Sequence, residues 1–278
     1  MGIGLKKNCA ALAAAWLALS PAVAKDKASE APLLVIGASY AEGKTPFNNG
    51  VAPLGGISVD FGSYLSLGHA LTRSELLPGH VINEGQGGAT TFARPYCPPG
   101  APTCGPAAWD SYQTQLEKAL ARVALPPAFD TYNARYVVIT TPNDCLHADA
   151  FGVPQSVAQP CSPAQMNDSV DRLVALGRYA LSKGVTPVYD MYPRYSSLDL
   201  PLFGSLFGLA WVIGEADYNT LRDLSRTRLR AELPSALVLD IWKDFTHRGD
   251  GIHPDDATTR RAAKLVAQEL IRRDNFKR

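Results

Sequence analysis

Leu33-Leu34-Val35-Ile36-Gly37-Ala38-Ser39 decides the fold class of this 278-residue chain. Four apolar residues in succession, two of them β-branched, suit a strand buried on both faces. Strands of that kind belong to parallel sheets covered on each side by helices. Gly37 ends the run, and Ser39 stands at the mouth of the strand. Working outward, Val81-Ile82, Tyr136-Val137-Val138-Ile139, Val185 to Tyr189 and Ala236 to Leu239 are further short apolar runs. Helical spacing separates them. It is carried by Ile57, Phe61, Tyr64, Leu65 and Leu71, then by Trp109, Tyr112, Leu116, Leu120 and Val123. Ser162-Pro163 opens another helix through an N-cap and a proline at its first position, and Gly184 closes it. Glu215 to Leu233 is helical, and Pro254 starts the last helix. The alternation predicts an α/β fold of about five mostly parallel strands with helices on both faces. Ligands in such folds bind beyond the carboxyl ends of the strands. Ser39, Gly88, Asn143 and His253 all follow such ends.

The N-terminus reads as a signal peptide. Lys6 and Lys7 precede an apolar run, Ala10 to Leu19, too short to span a bilayer. Ala22-Val23-Ala24 is a small-residue cleavage site. Residues 1–24 are therefore read as a leader and residues 25–278 as one domain, secreted or periplasmic. The remaining length suits one domain of roughly 200–250 residues. The formal charge of +1 becomes about neutral when two lysines leave with the leader. A near-neutral chain lacks the basic face that a nucleic-acid partner requires. Five cysteines become four without Cys9, and four allow three pairings. An oxidising compartment favours disulfides, and the local pairings Cys97–Cys104 and Cys145–Cys161 are preferred. No C-x-x-C or H-x-x-x-H spacing suggests a zinc site.

The chemistry is carried by four segments. Asp250-Gly251-Ile252-His253-Pro254 puts an acid three residues before a histidine on a Gly-broken turn. A serine hydroxyl becomes a nucleophile when a histidine takes its proton, and an acid fixes that histidine's tautomer. Asp-Gly followed by Pro is equally an ordinary helix start. Asn83-Glu84-Gly85-Gln86-Gly87-Gly88 follows the second strand, and its glycines let backbone N–H groups approach a ligand. Thr140-Thr141-Pro142-Asn143-Asp144 follows the third strand and offers an amide side chain, or an Asx turn.

Ser39, Gly88, Asn143 and Asp250-x-x-His253, in that order and each after a strand, resemble the SGNH hydrolase (GDSL esterase/lipase) family over Leu33 to about Leu270. The resemblance implies a three-layer, flavodoxin-like α/β/α sandwich. It implies Ser39 as nucleophile, Asp250 and His253 as acid and base, and oxyanion donors at the Ser39 and Gly88 backbones and the Asn143 side chain. It also implies no cofactor. Tyr218-Asn219, opening a late helix, is a weaker likeness. Two positions depart from the family: Gly37-Ala38-Ser39 replaces Gly-Asp-Ser, and Pro142 replaces the glycine before Asn143-Asp144.

The expected activity is hydrolysis of carboxylic esters, with small molecules or lipids as substrates. Contact with a membrane surface or cell envelope and a monomeric state are expected alongside it. The alternatives are a carbohydrate O-acetylesterase, a non-catalytic surface-binding protein, and a nucleotide binder. The last rests on Ala38 to Thr45, which fits a P-loop pattern with alanine first. A G-x-S-x-G elbow lacks its last glycine, because position 41 is alanine. His69 and His80 suit structural roles, and His247 is a reserve base. His147, close to Asn143, is placed against substrate. The apolar segment Leu200 to Ile213 reads either as internal packing or as a flap presenting Phe203 and Phe207 to an acyl chain.

Overall fold

The computed structural model describes residues 30–42, 52–54, 57–59, 64–77, 79–98, 100–126 and 131–276. Residues 1–24, expected to be a leader, lie outside the described residues, as do Gly43 to Thr45 and Phe61. Five strands form the central sheet: β1 (Leu33–Ile36), β2 (Val81–Asn83), β3 (Tyr136–Ile139), β4 (Thr186–Asp190) and β5 (Leu237–Leu239). They lie in the order β5-β4-β3-β1-β2, and every pairing is parallel.

Alternate residues of β1 serve two cores. Leu34 and Ile36 join Val137, Ile139, Leu116, Val170 and Leu221 on one face. Leu33 and Val35 join Tyr136, Val138, Leu67, Trp242 and Val266 on the other. Both faces being covered, neither can be polar, which accounts for the unbroken apolar run. Helices α2 (Tyr112–Ala121), α3 (Pro163–Ser182) and α5 (Glu215–Glu232) cover the first face. Helices α1 (Leu67–Thr72) and α6 (Asp256–Phe276) cover the second. The result is a three-layer α/β/α sandwich. Each large side chain buried there contributes roughly 1.5–3 kcal/mol.

Capping sets the helix ends. Ser162 accepts from the Gln165 N–H while the Gln165 side chain accepts from the Ser162 N–H, closing a capping box ahead of Pro163. Gly184, at φ +74°, follows the other end. Two helix expectations need correction. Trp109 belongs to a short ribbon, Arg94–Pro95 against Ala107–Trp109, and α2 begins only after its Ser111 cap. Ile57–Val59 pairs antiparallel with Ala52–Leu54, and α1 starts at Leu67 behind a Ser66 cap. The last helix begins two residues after Pro254, with the Asp255 carboxylate accepting from the Thr258 N–H. Within Leu200 to Ile213, Leu200–Leu206 forms a helix, α4, capped by Asp199.

The disulfides Cys97–Cys104 and Cys145–Cys161 are both formed. Among the described residues, no helix is long and apolar enough to cross a membrane.

Candidate active site

The strand order reverses between β1 and β3, and that is where an open α/β sheet leaves a crevice at its carboxyl edge. Ser39 leaves β1 there through Gly37. At φ +140°, Gly37 has no room for a side chain, since a Cβ would lie 2.0 Å from Thr140 Oγ1. Its N–H donates to Oε1 of the buried Gln115 side chain at 2.7 Å, and the Ala38 N–H donates to Thr140 Oγ1 at 3.2 Å. Ser39–Glu42 is a helical turn with Ser39 nearly buried. The Ala41 and Glu42 N–H groups donate to the Ala38 carbonyl. Those two amides are therefore engaged; Gly43 to Thr45, the rest of the P-loop pattern, lie outside the described residues.

The Asp250–His253 turn is built locally. Asp250 Oδ1 accepts from the backbone N–H groups of Ile252 (3.1 Å) and His253 (2.9 Å). Its Oδ2 lies 2.8 Å from His253 Nδ1. Gly251 makes the turn possible. It sits at φ +88°, and a Cβ would meet the Asp199 carbonyl oxygen at 2.1 Å. The Asp199 N–H donates back to the Gly251 carbonyl at 2.7 Å, docking the turn on the start of α4. Burial would raise the Asp250 pKa, but the hydrogen bond and charge of His253 and the two backbone donors outweigh it. The carboxyl is held below its ordinary range. The His253 ring is wedged among Tyr64 (centroids 4.8 Å apart), Phe203 (6.3 Å) and Tyr40 (6.4 Å). Tyr40 donates to the Ile252 carbonyl and Tyr64 to the Ser39 carbonyl, tying the serine turn and the histidine turn to one aromatic layer. His247 Nδ1 accepts from the Gly249 and Gly251 N–H groups, which makes it a turn support.

Two loops complete the crevice. Gly88, at φ +86°, occupies a left-handed position. The neighbouring Gly87 is gripped at both ends: its N–H donates to the Glu42 carboxylate, and its carbonyl accepts from the Trp109 indole. Asn143 Nδ2 donates to the Ala89 carbonyl at 3.3 Å, using one of its two N–H bonds. The adjacent Asp144 is buried. It accepts from the Thr91 N–H (2.8 Å), the Thr91 hydroxyl and Arg172 Nη2 (3.1 Å), so it bolts the Asn143 loop to the Gly88 loop. The Cys145–Cys161 bridge ties the same loop to the start of α3.

Ser39, Gly88, Asn143, His147, Phe203, Phe207 and His253 line one cleft of about 490 Å³, with Asp250 behind His253. The sequence reading missed Arg94 and Asp149, which also line it. Neither belongs to a motif. They become neighbours through a hydrogen-bonded ion pair at 2.9 Å. It also missed Asp190, a buried carboxylate at the end of β4. Asp190 accepts from the Thr141 N–H (2.6 Å) and the Trp242 indole (3.0 Å), and burial pushes it up to about 8 against those two hydrogen bonds.

The structure superimposes on a native aryl esterase from M. smegmatis with a TM-score of 0.55 at 19% identity, covering 86% of this chain and 98% of that one. It superimposes on a carbohydrate acetylesterase family member from Sinorhizobium meliloti with a TM-score of 0.52 at 18% identity, covering 87% and 99%. The chain has the SGNH-hydrolase fold. No family model and no curated protein matches its sequence. At these identities the likeness is one of fold, and any activity must be argued from the cleft.

Proposed function

We propose that the protein is an exported serine esterase that hydrolyses carboxylic esters through an acyl-enzyme on Ser39. The observation that carries this is the convergence of Ser39, Gly88, Asn143 and His253 on one cleft, with His253 Nδ1 held by Asp250 at 2.8 Å. The Asp250 bond leaves Nε2 as the nitrogen that takes the Ser39 proton. The serine oxygen then bonds to the ester carbon, and the carbonyl electrons move onto its oxygen. The Ser39 and Gly88 backbone N–H groups and the second Asn143 N–H stabilise that charge. When the intermediate collapses, the bond to the leaving alcohol breaks and His253 returns the proton to it. Water repeats the sequence on the acyl-enzyme and releases the acid. Two disulfides fit an oxidising compartment and so support export.

Phe207 and Leu209 give the cleft an apolar wall suited to an acyl chain or to a lipid ester. Carbohydrate O-acetyl ester hydrolysis is the second reading, favoured by the polar Arg94, Asp149 and His147 on the same cleft. A fluorophosphonate probe tests the core of the proposal. It should label the protein at Ser39 and fail to label Ser39→Ala of unchanged circular dichroism. A folded wild type that takes up no label would leave a non-catalytic binding protein on this fold.

A further inference from the structure

One side of the cleft carries polar groups that the esterase mechanism does not use. Arg94 comes from the Arg94–Pro95 ribbon strand, and its side chain is only 2% exposed. Its guanidinium lies over the Trp109 ring at 3.7 Å. Nη1 donates to the Asp149 carbonyl and carboxylate. Nη2 lies against Gly88, 2.9 Å from where a Cβ would stand. Nε is buried with no hydrogen-bond partner. His147 repeats the pattern from the Asn143 loop: it is buried, and its Nδ1 has no partner. Buried polar atoms in native folds are nearly always paired, and both residues that carry an unpaired one here line the cleft.

The charge balance says which kind. Arg94 is offset by Asp149. His147 is neutral near pH 7, because burial, helped by the charges of Arg94 and His253 and opposed by Asp149, pulls it down to about 4. The wall is therefore close to neutral and offers both donors and acceptors. An anionic group would gain Arg94 but face Asp149, whereas a hydroxyl can donate and accept at once. Phe203 lies between the two histidines. Its ring reaches both His253 (6.3 Å) and His147 (5.5 Å). The leaving oxygen must take its proton from His253, and an alcohol that runs from there past Phe203 reaches His147 and the Arg94–Asp149 pair.

We propose that Arg94, Asp149 and His147 form the leaving-alcohol subsite and select an alcohol that carries further hydroxyl groups over a plain hydrocarbon alcohol of the same length. The proposal rests on the esterase reading above. Glycerol 1-monoacetate and propyl acetate test it, since they share the acyl group and the carbon count. Wild-type kcat/KM should favour the glycerol ester by on the order of tenfold or more, the effect of one or two hydrogen bonds gained. His147→Phe, which keeps a ring against Phe203, should bring the ratio of the two substrates close to one, as should Arg94→Met. A merely structural defect would lower both substrates alike and leave the ratio standing. A wild-type ratio near or below one overturns the proposal, as does a His147→Phe protein that keeps the preference. Either result leaves fluorophosphonate labelling at Ser39 intact. Loss of both labelling and turnover would instead remove the esterase reading and the subsite with it.

Discussion

Asp144→Ala tests whether the crevice is assembled by the bond network behind it. Asp144 touches neither Ser39 nor His253 in the geometry above; it holds Thr91 and Arg172. Truncation strands the Thr91 N–H, a buried donor that loses a charge-assisted bond costing about 1.5–3 kcal/mol. The Thr91 hydroxyl can still meet Arg172 Nε, 2.6 Å away, so it adds little. The Arg172 side chain is 39% exposed, and its pairing counts for about 0–1 kcal/mol after screening. The total, about 2–4 kcal/mol, is less than the 5–15 kcal/mol typical of a domain. The variant should fold, with its melting temperature lower by about 5–15 °C. Asn143→Ala should cost kcat on the order of 10²–10³-fold through loss of one oxyanion donor. If Asp144 acts by placing Asn143, the double variant should show the kcat of Asn143→Ala alone and the full thermal loss of Asp144→Ala. Turnover of a nitrophenyl ester, read beside a calorimetric melt of the four proteins, decides this. Multiplicative kcat losses would refute the positioning argument.

Other perturbations follow from the same contacts. Reduction of the disulfides, or Cys145→Ser with Cys161→Ser, opens a loop with a sequence separation of 16. It should cost roughly 3 kcal/mol and depress kcat, since the Asn143 loop is freed; unchanged kcat in the melted-down but folded variant would count against a role for the bridge. Asp250 has a folded pKa below its unfolded value, so its contribution is fully present above about pH 4 and disappears as pH falls through the folded value. Asp250→Asn should flatten this acid limb in equilibrium unfolding and lower kcat by on the order of 10⁴-fold through the wrong histidine tautomer. Asp190 has the opposite sign. Its pKa is raised to about 8, so the folded state holds a proton the unfolded chain has lost, and stability declines as pH rises from about 4 towards 8. Asp190→Asn should remove that decline; an unaltered slope in denaturant titrations from pH 5 to 8 would mean the carboxylate is ionised.

The parts of this molecule that could be read from the chain are those whose cause is local. β1 and β3 are unbroken apolar runs because helices lie on both of their faces. Ser162-Pro163 announces α3 because a cap acts within one turn. Asp250 and His253 are legible for the same reason: three residues and a glycine bring the carboxylate to the imidazole. Illegible features depend on distant partners. Arg94 is an ordinary arginine until a ribbon and a 3₁₀ turn bring it to Asp149, 55 positions away. Asp190 becomes unusual only because Trp242 and Thr141 close over it. Ile57 fits the helical spacing of Tyr64, Leu65 and Leu71, yet Ile57–Val59 pairs with Ala52–Leu54, because strand pairing there depends on a partner outside the helical pattern.

Ala38, where the family resemblance expects a carboxylate, shows how such a departure is accommodated. Its side chain is 1% exposed and packs with Leu34, Ile36 and Ala89 in the apolar core. A charge there would need partners, and the nearby polar groups are already engaged. Gln115 is committed to the Gly37 N–H, and Thr140 to the Ala38 N–H. Two neutral side chains thus hold the turn ahead of Ser39, with no buried charge to desolvate. Pro142 is absorbed similarly: it lacks an N–H, and its carbonyl accepts from the buried Tyr192 hydroxyl at 3.1 Å. The carboxyl groups that do order the crevice stand behind its loops, Asp144 on Thr91 and Asp190 on Thr141. Both departures leave Ser39, Asn143 and His253 on the cleft, because the backbone around them is fixed by the body of the fold.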